Sequence, residues 1–387
     1  MEGIPAKRKA LLLRDILSAW QAISLGVVDE NSRTRQKYWA HWVAYAGMFQ
    51  VDPFLQGRSK LQRNIILTAF AARVRTGHYG RGRQVKVPSV AQALAAVSKT
   101  FELAGQSSPL YKAPETYTVP VGRLIEGFRR QDPPAVPQLA VPVAVPQHIF
   151  DNSVNGTPAE QAIGDLSLIA FFYLLRVGEY TVKAINRPAN STRTKQFRVK
   201  DIGFFKNGKI LSRHNSLQTL LTADQCTLKI TNQKNGRMGG TIHHHAIPGT
   251  NRCPIKAAAC RVHSILSNGG TDQSFICKYL DQTKTWKFIT PPQMLRAVRA
   301  AVTNLKLRNH GIDPDLVGVH SLRAGGAMAL RLHGYPDTTI MKMGRWTSLT
   351  FLQYIHNQIA HLSEDISTSM NEPLLFTNIA AIEAAAG

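Results

Sequence analysis

The stretch VHSLRAGGAMALRLHGYPDTTIMKMGRWTSLTFLQYIHNQI, residues 319–359, decides the fold and the chemistry expected of this chain. It places His320, Arg323, Trp346 and Tyr354 within 35 residues, on what the pattern predicts to be two helices and a turn. His320 and Arg323 are three residues apart, so on a helix they are neighbours on one face and can contact the same small anion. A tyrosine, an arginine and a histidine gathered near a helix start indicate phosphoryl transfer without a metal ion.

Glycine and proline set the predicted limits of these helices. Gly325 and Gly326 remove side-chain bulk, which predicts that the first helix lies close against another element. Gly334 and Pro336 are predicted to end this helix, and the GRW motif at 344–346 is predicted to end the next one.

The order HSLRAGGA, GRW, FLQYI resembles the C-terminal signature of the tyrosine recombinases, most nearly the Cre-type enzymes and the Crypton- and DIRS-type transposon recombinases of eukaryotes. The resemblance covers residues 162–358. It implies a site-specific DNA recombinase that cleaves and rejoins strands through a covalent 3′-phosphotyrosyl intermediate, with no cofactor, ATP or metal. The catalytic residues that it implies are Arg176, Lys234, His320, Arg323, Trp346 and Tyr354.

The spacing of the last two positions distinguishes branches of this family. Trp346 and Tyr354 are eight residues apart, one fewer than in Cre-type enzymes and closer to the eukaryotic transposon enzymes. Tyr335 is the nearby alternative nucleophile, but it precedes the tryptophan and lies in a predicted turn.

Arg176 follows a predicted helix over 157–175 whose last residues, LSLIAFFYLL, are apolar. An arginine beside so buried a helix is costly to desolvate unless it meets an anion. By the resemblance, the LLRVGE context marks the first phosphate-binding arginine. Glu179 is close enough in sequence to orient its guanidinium through a charge-assisted hydrogen bond. The alternative is an Arg176–Glu179 ion pair at the protein surface.

Strand-like segments are predicted at 196–205, 227–231 and 240–246, and NQKNGRMGG between the last two has the Asn and Gly content of a hairpin turn. Tyrosine recombinases carry their catalytic lysine on a β-hairpin, and by this resemblance we select Lys234. Lys229 is the alternative, although its place inside an alternating strand favours a structural role.

Three consecutive histidines, His243, His244 and His245, invite a metal-binding interpretation. Neighbouring residues of a strand point to opposite faces, so all three cannot reach one ion. No carboxylate or cysteine motif accompanies them, and we therefore predict strand residues and no metal site.

The expected fold class is mainly α with a small antiparallel β-sheet. Five short helices are predicted before residue 131 and indicate an all-α domain, which the resemblance identifies with the DNA-contacting core-binding domain of the family. One of these helices spans 59–74, with Leu61, Ile65 and Ala69 predicted to face inward.

The run QDPPAVPQLAVPVAVPQ separates this domain from the rest of the chain. Its five prolines fit neither a helix nor a sheet interior, and they predict an extended linker. An α+β tyrosine recombinase catalytic domain is expected to follow it. A C-terminal tail would be exchanged between subunits, as in the family, or would fold back on its own domain. The predicted limits are 1–130 for the helical domain, 131–147 for the linker, 148–360 for the catalytic domain and 361–387 for the tail.

The chain carries a formal net charge of +23, and both halves contribute to it. The first 150 residues hold 20 Lys and Arg against 9 Asp and Glu, and the remainder holds 27 against 15. This distribution favours a polyanionic partner that touches both domains, with double-stranded DNA the expected one and a merely solvated basic surface the alternative. The candidate DNA contacts in the first domain are Arg33, Arg35, Lys37, Arg81, Arg83 and Lys86.

No apolar run approaches the roughly 20 residues that span a bilayer, and the N-terminus lacks the pattern of a signal peptide. We therefore expect a soluble intracellular protein without a membrane partner, nuclear if the source is eukaryotic and cytoplasmic otherwise. Three functions remain open: a transposon-type recombinase acting as a homotetramer, a catalytically silent DNA-binding protein, and a type IB topoisomerase-like enzyme.

Overall fold

The computed structural model describes residues 29–80, 82–113, 116–134, 138–182, 196–230 and 240–349, with the single positions 8, 14, 15, 18 and 352. These residues fall into two compact units, the first ending at residue 134 and the second beginning at residue 138. The prediction of a mainly helical chain with a small antiparallel sheet is confirmed. Among the described residues, no helix is both long and apolar enough to cross a membrane.

The first unit is helical apart from one short two-stranded ribbon. Its elements are α1 Asp29–Met48, α2 Lys60–Arg75, α3 Val87–Leu103, β1 Tyr111–Ala113, β2 Thr116–Tyr117 and α4 Val119–Gln131. Helix α2 begins with reciprocal capping bonds, because the Ser59 hydroxyl accepts from the Gln62 backbone N–H and the Gln62 side chain accepts from the Ser59 N–H.

Aromatic packing forms the core of this unit. Trp42 is fully buried, its indole N–H donates to the Pro53 carbonyl at 2.7 Å, and its ring meets Phe70 edge-on at 5.2 Å. Helix α2 buries Leu67, Phe70, Ala71 and Val74. The predicted inward face of this helix is wrong, since Leu61, Ile65 and Ala69 are exposed.

The second unit surrounds one helix, α6, whose C-terminal half is buried, with further helices and a sheet. Its helices are α5 Ala144–Ser153, α6 Pro158–Phe172, α7 Val177–Tyr180, α8 Leu217–Leu221, α9 Pro254–Ser267, α10 Pro291–Asn304, α11 Ser321–Leu332 and α12 Asp337–Gly344. Its strands are β3 Ile202–Lys206, β4 Lys209–Leu211, β5 Gln225–Ile230, β6 Gly240–His245, β7 Lys278–Leu280 and β8 Trp286–Phe288.

Strands β3 to β6 form an antiparallel sheet in the order β4-β3-β5-β6, while β7 and β8 pair as a separate hairpin. Helix α6 starts at a capping box made by Thr157 and Glu160, with Pro158 at its first position, where no intrahelical N–H bond is lost. Its residues 164–171 are all buried, so this helix forms the centre of the second core.

Residues 138–142 of the proline-rich stretch lie in neither a helix nor a strand. Leu139 and Val141 donate backbone bonds to the Leu316 and Ser321 carbonyls at 3.0 and 3.4 Å. The prediction that no helix occurs through residue 147 is wrong at its end, because α5 begins at Ala144. Pro146 lies in the first turn of that helix, where backbone N–H groups have no intrahelical acceptor, so proline costs no hydrogen bond there.

Close packing of α11 against its neighbours confirms the expectation from its paired glycines. A Cβ on Gly325 would lie 2.0 Å from the Val141 carbonyl oxygen, and one on Gly326 would lie 2.3 Å from the Phe171 carbonyl oxygen. Only glycine permits this approach, which brings the start of α11 to the end of α6.

The three histidines of β6 alternate between its faces as predicted. The His243 and His245 rings lie 6.3 Å apart, whereas His244 packs edge-on against Tyr173 at 4.6 Å. The His244 Nε2 is 2.8 Å from the Phe172 carbonyl oxygen, so it is the protonated nitrogen of the neutral ring. Burial lowers the pKa of His244 to about 4.

This lowered pKa predicts a loss of stability in acid. The unfolded chain takes up a proton at His244 near pH 6.5, whereas the folded chain does so only near pH 4. The neutral His244 therefore contributes to the free energy of unfolding in full above pH 6.5, and this contribution is lost as the pH falls to about 4. Urea unfolding between pH 7 and pH 4 should therefore show wild type losing on the order of 3 kcal/mol more than His244→Gln. His310→Gln changes an exposed histidine and serves as the control. Equal pH dependence of His244→Gln and wild type would contradict the prediction.

Candidate active site

The site begins where α6 ends and the chain reverses. Leu174 has a positive φ of 49°, which is rare for a residue with a branched side chain. Two residues later, Arg176 has extended backbone (φ −74°, ψ 142°) and precedes the single turn α7. Its N–H donates to Glu179 Oε2 at 2.8 Å, and the Glu179 N–H donates to the Arg176 carbonyl at 2.8 Å. This pair of bonds fixes Arg176 at the edge of the buried core.

Glu179 is a buried carboxylate with two arginine partners. Only 2% of the residue is exposed. Its Oε1 accepts from Arg176 Nη1 at 3.3 Å, and its two oxygens accept from the two Nη atoms of Arg345 at 3.0 Å each. The alternative of an Arg176–Glu179 pair at the protein surface is therefore wrong. A buried carboxylate requires such compensation, since removing it from water is costly.

Arg323 is buried at the start of α11, with 2% of the residue exposed. Its Nη1 donates to the Leu174 carbonyl and its Nη2 donates to the Gly344 carbonyl. Its guanidinium carbon lies 4.3 Å from the centre of the Trp346 ring, a cation–π contact. The arginine of HSLR and the tryptophan of GRW are thus in direct contact.

His320 lies immediately before α11, at the N-cap position, rather than inside the helix. Its carbonyl accepts the first helical bond from the Ala324 N–H at 2.9 Å. Its own N–H donates to Gln138 Oε1 at 3.4 Å, and the Gln138 side chain occupies the space that a side chain on Gly318 would need. The prediction that His320 lies within this helix is therefore wrong by one residue, since the helix begins at Ser321.

Arg345 is a member of this site that the sequence pattern did not single out, although GRW contains it. It has left-handed backbone (φ 60°, ψ 37°) directly after α12, and its side chain is 6% exposed. Besides its two bonds to Glu179, its Nη2 donates to the Leu174 carbonyl at 3.0 Å. A third arginine beside a motif tryptophan was the available signal.

Shared partners connect four of the predicted residues, Arg176, Glu179, Arg323 and Trp346. Glu179 joins Arg176 to Arg345, and the Leu174 carbonyl joins Arg345 to Arg323. The network contains three guanidinium groups and one carboxylate, so it carries excess positive charge; Arg176 and Arg345 bond that carboxylate, whereas Arg323 bonds backbone carbonyls. Of the two arginines bound to Glu179, Arg176 has the more exposed side chain, at 21% against 6% for Arg345. Arg176 is therefore the guanidinium that is more open to an incoming anion.

Two predicted catalytic residues, Lys234 and Tyr354, lie outside the described residues. Strands β5 and β6 flank the segment that contains Lys234. The alternative lysine, Lys229, is exposed on β5 and pairs with Thr241.

The candidate DNA contacts of the first unit have different exposures. Arg33 and Lys37 are exposed on α1, while Arg35 is half-buried there. Arg83 and Lys86 are exposed just before α3. Arg81 lies outside the described residues.

Comparison with solved structures finds similarity to a transposon integrase and to two recombinases. The Tn1549 transposon integrase in complex with transposon right-end DNA has 10% identity and a TM-score of 0.41, over 79% of this chain and 85% of that chain. XerA recombinase has 14% identity and a TM-score of 0.37, over 88% and 100%. XerH bound to its difH substrate has 12% identity and a TM-score of 0.43, over 80% and 70%.

No protein-family model matches the sequence, and no curated protein is significantly similar to it. At 10 to 14% identity, the likeness to these solved structures does not assign an activity to this chain.

Proposed function

We propose that this protein is a tyrosine recombinase that cleaves and rejoins DNA strands through a covalent 3′-phosphotyrosyl intermediate. The observation that supports this best is the arginine network around Glu179 and the Leu174 carbonyl. Arg176 is the more exposed of the two guanidinium groups on Glu179, and Arg323 stacks on Trp346. Each planar guanidinium group can donate two parallel hydrogen bonds to two oxygens of a phosphodiester, and a site with excess positive charge favours an anionic group.

The proposed chemistry places each described residue around the scissile phosphate. In the transition state, negative charge grows on the non-bridging oxygens, where Arg176 and Arg323 donate. His320 hydrogen-bonds the same group and assists the proton transfers, since an imidazole can titrate near neutrality. Trp346 contributes one N–H donor and a rigid plane, but it cannot act as an acid or base.

The covalent step exchanges one phosphodiester bond for another. The Tyr354 phenolic oxygen loses its proton and attacks phosphorus, a P–O bond to tyrosine forms, and the bond to the 5′ oxygen breaks. Lys234 donates a proton to the departing 5′ oxygen, which leaves as a 5′-hydroxyl. Attack by a 5′-hydroxyl on the phosphotyrosine then restores the DNA backbone, so no external energy source is consumed.

The charge distribution supports double-stranded DNA as the substrate. Lysine and arginine exceed aspartate and glutamate in both halves of the chain. Strand exchange between two duplexes requires several active sites in one complex, and a homotetramer is the proposed assembly.

A nicked suicide duplex tests the proposal. The purified protein first selects its binding sequence from a randomised duplex pool, and the selected duplex is then nicked close to each candidate scissile phosphate in turn. A covalent protein–DNA adduct that resists denaturation and forms in EDTA is the expected result. Tight binding without an adduct would contradict the proposal and favour a DNA-binding protein. An adduct accompanied by plasmid relaxation, without exchange between two duplexes, would favour a type IB topoisomerase-like enzyme.

A further inference from the structure

Arg345 has a backbone conformation that its residue type disfavours. It follows α12 with φ 60° and ψ 37°, and its N–H donates to the Lys342 carbonyl at 3.2 Å. Glycine adopts this left-handed conformation without steric cost, whereas a residue with a Cβ does not. Strain of this kind persists where surrounding contacts enforce it, and it is concentrated at functional sites.

The side chain of Arg345 supplies those contacts. It reaches Glu179 with both Nη atoms at 3.0 Å and the Leu174 carbonyl at 3.0 Å, although Glu179 lies 166 positions earlier in the chain. Leu174 is itself left-handed, with φ 49°. Two strained turns, one after α6 and one after α12, are therefore tied together by one guanidinium.

Arg323 depends on the same two turns. Its two Nη atoms donate to the carbonyls of Leu174 and Gly344, and Gly344 immediately precedes Arg345. The Trp346 ring packs on Gly344 so closely that a Cβ there would lie 1.6 Å from a ring atom. Any rotation of the turn at Arg345 would displace the Gly344 carbonyl and the Trp346 ring together.

We propose that Arg345 is a positioning residue that presents both phosphate-binding arginines. Its side chain donates to the Leu174 carbonyl and its backbone directly follows the Gly344 carbonyl, the two acceptors that orient Arg323, and it shares Glu179 with Arg176. The inference rests on the function proposed above. At 6% exposure, the Arg345 side chain acts through these neighbours rather than by touching DNA. Its removal should slow the chemical step and leave DNA affinity nearly unchanged.

The decisive variant is Arg345→Gly, which keeps the left-handed backbone and deletes the side chain. Its matched control is Lys306→Gly, because Lys306 is also a basic residue with left-handed backbone (φ 53°), in the same unit but exposed. Adduct formation on the nicked selected duplex is measured at saturating protein, beside the Kd for the intact duplex. We expect Arg345→Gly to slow adduct formation by about 30-fold or more, with Kd within about 3-fold of wild type.

Arg345→Lys keeps the charge and loses the planar fork, so we expect a loss of about 5- to 10-fold at unchanged Kd, measured below the thermal transition of the variant. This variant decides the matter if Arg345→Gly does not fold. In the double variant with Glu179→Gln, the two losses should not add, because both residues act through one contact.

Three results would overturn the inference. The first is adduct formation by Arg345→Lys at the wild-type rate, when Arg345→Gly either forms adduct as fast as Lys306→Gly or does not fold. The second is a loss explained entirely by weaker DNA binding, and the third is additive losses in the double variant. If wild type itself binds the selected duplex and forms no adduct, the proposed function fails, and the positioning role fails with it.

Discussion

Tyr354→Phe is expected to abolish the covalent adduct, lowering its rate of formation by about 10⁴-fold or more. The substitution removes one atom, the phenolic oxygen that would bond to phosphorus, and keeps the aromatic ring. The free phenol has a pKa of about 10, so in the proposed mechanism arginines and a base must assist its ionisation, and phenylalanine offers no group that could take its place. DNA affinity should therefore stay close to that of wild type.

Tyr335→Phe is the matched control, since Tyr335 is the nearby alternative nucleophile. Tyr335 is 49% exposed and lies just beyond the end of α11. The measurement is the adduct on the nicked duplex, followed by proteolysis and mass mapping of the nucleotide-bearing peptide. An adduct that survives in Tyr354→Phe and disappears in Tyr335→Phe would contradict the assignment of the nucleophile.

Local pattern was sufficient where a residue's role depends on its near neighbours in sequence. Gly325 and Gly326 predicted the close approach of α11, and the GRW motif predicted the end of α12 at Gly344. The alternation of strand residues predicted that His244 would face away from His243. Each of these features follows from steric bulk or from the period of one element.

Local pattern failed where two faces of one helix are both apolar. Helix α2 offers Leu61 and Ile65 on one stripe and Leu67 and Phe70 on another. The second stripe is buried because Phe70 packs against the Trp42 ring, and the identity of that partner cannot be deduced from the period of α2.

The network around Glu179 could not be predicted from local sequence pattern either, because its partners are distant in the chain. The motif residues Arg176 and Arg323 could be selected by their resemblance to a family. Arg345 could not, because its conformation depends on a carboxylate 166 residues away and on a carbonyl of another turn. The one sequence signal for Arg345 was its place inside the GRW motif, and that place does not reveal these tertiary contacts.

Arg323→Lys is expected to lower the rate of adduct formation by about 10²- to 10³-fold, the effect of losing one transition-state donor. A lysine keeps the positive charge but offers a single ammonium group. It cannot satisfy the Leu174 and Gly344 carbonyls, stack on Trp346 and donate to a phosphate oxygen together.

The same substitution should also destabilise the fold by about 1 to 3 kcal/mol, because a buried carbonyl loses its donor. Rates must therefore be compared below the thermal transition of the variant. Arg331→Lys is the control in the same helix, since its 3.1 Å pair with Asp337 is solvent-exposed and should change stability by about 0.5 kcal/mol at most. If folded Arg323→Lys forms adduct within about threefold of Arg331→Lys, then Arg323 only holds α6 and α12 together, and the phosphate must be bound without it.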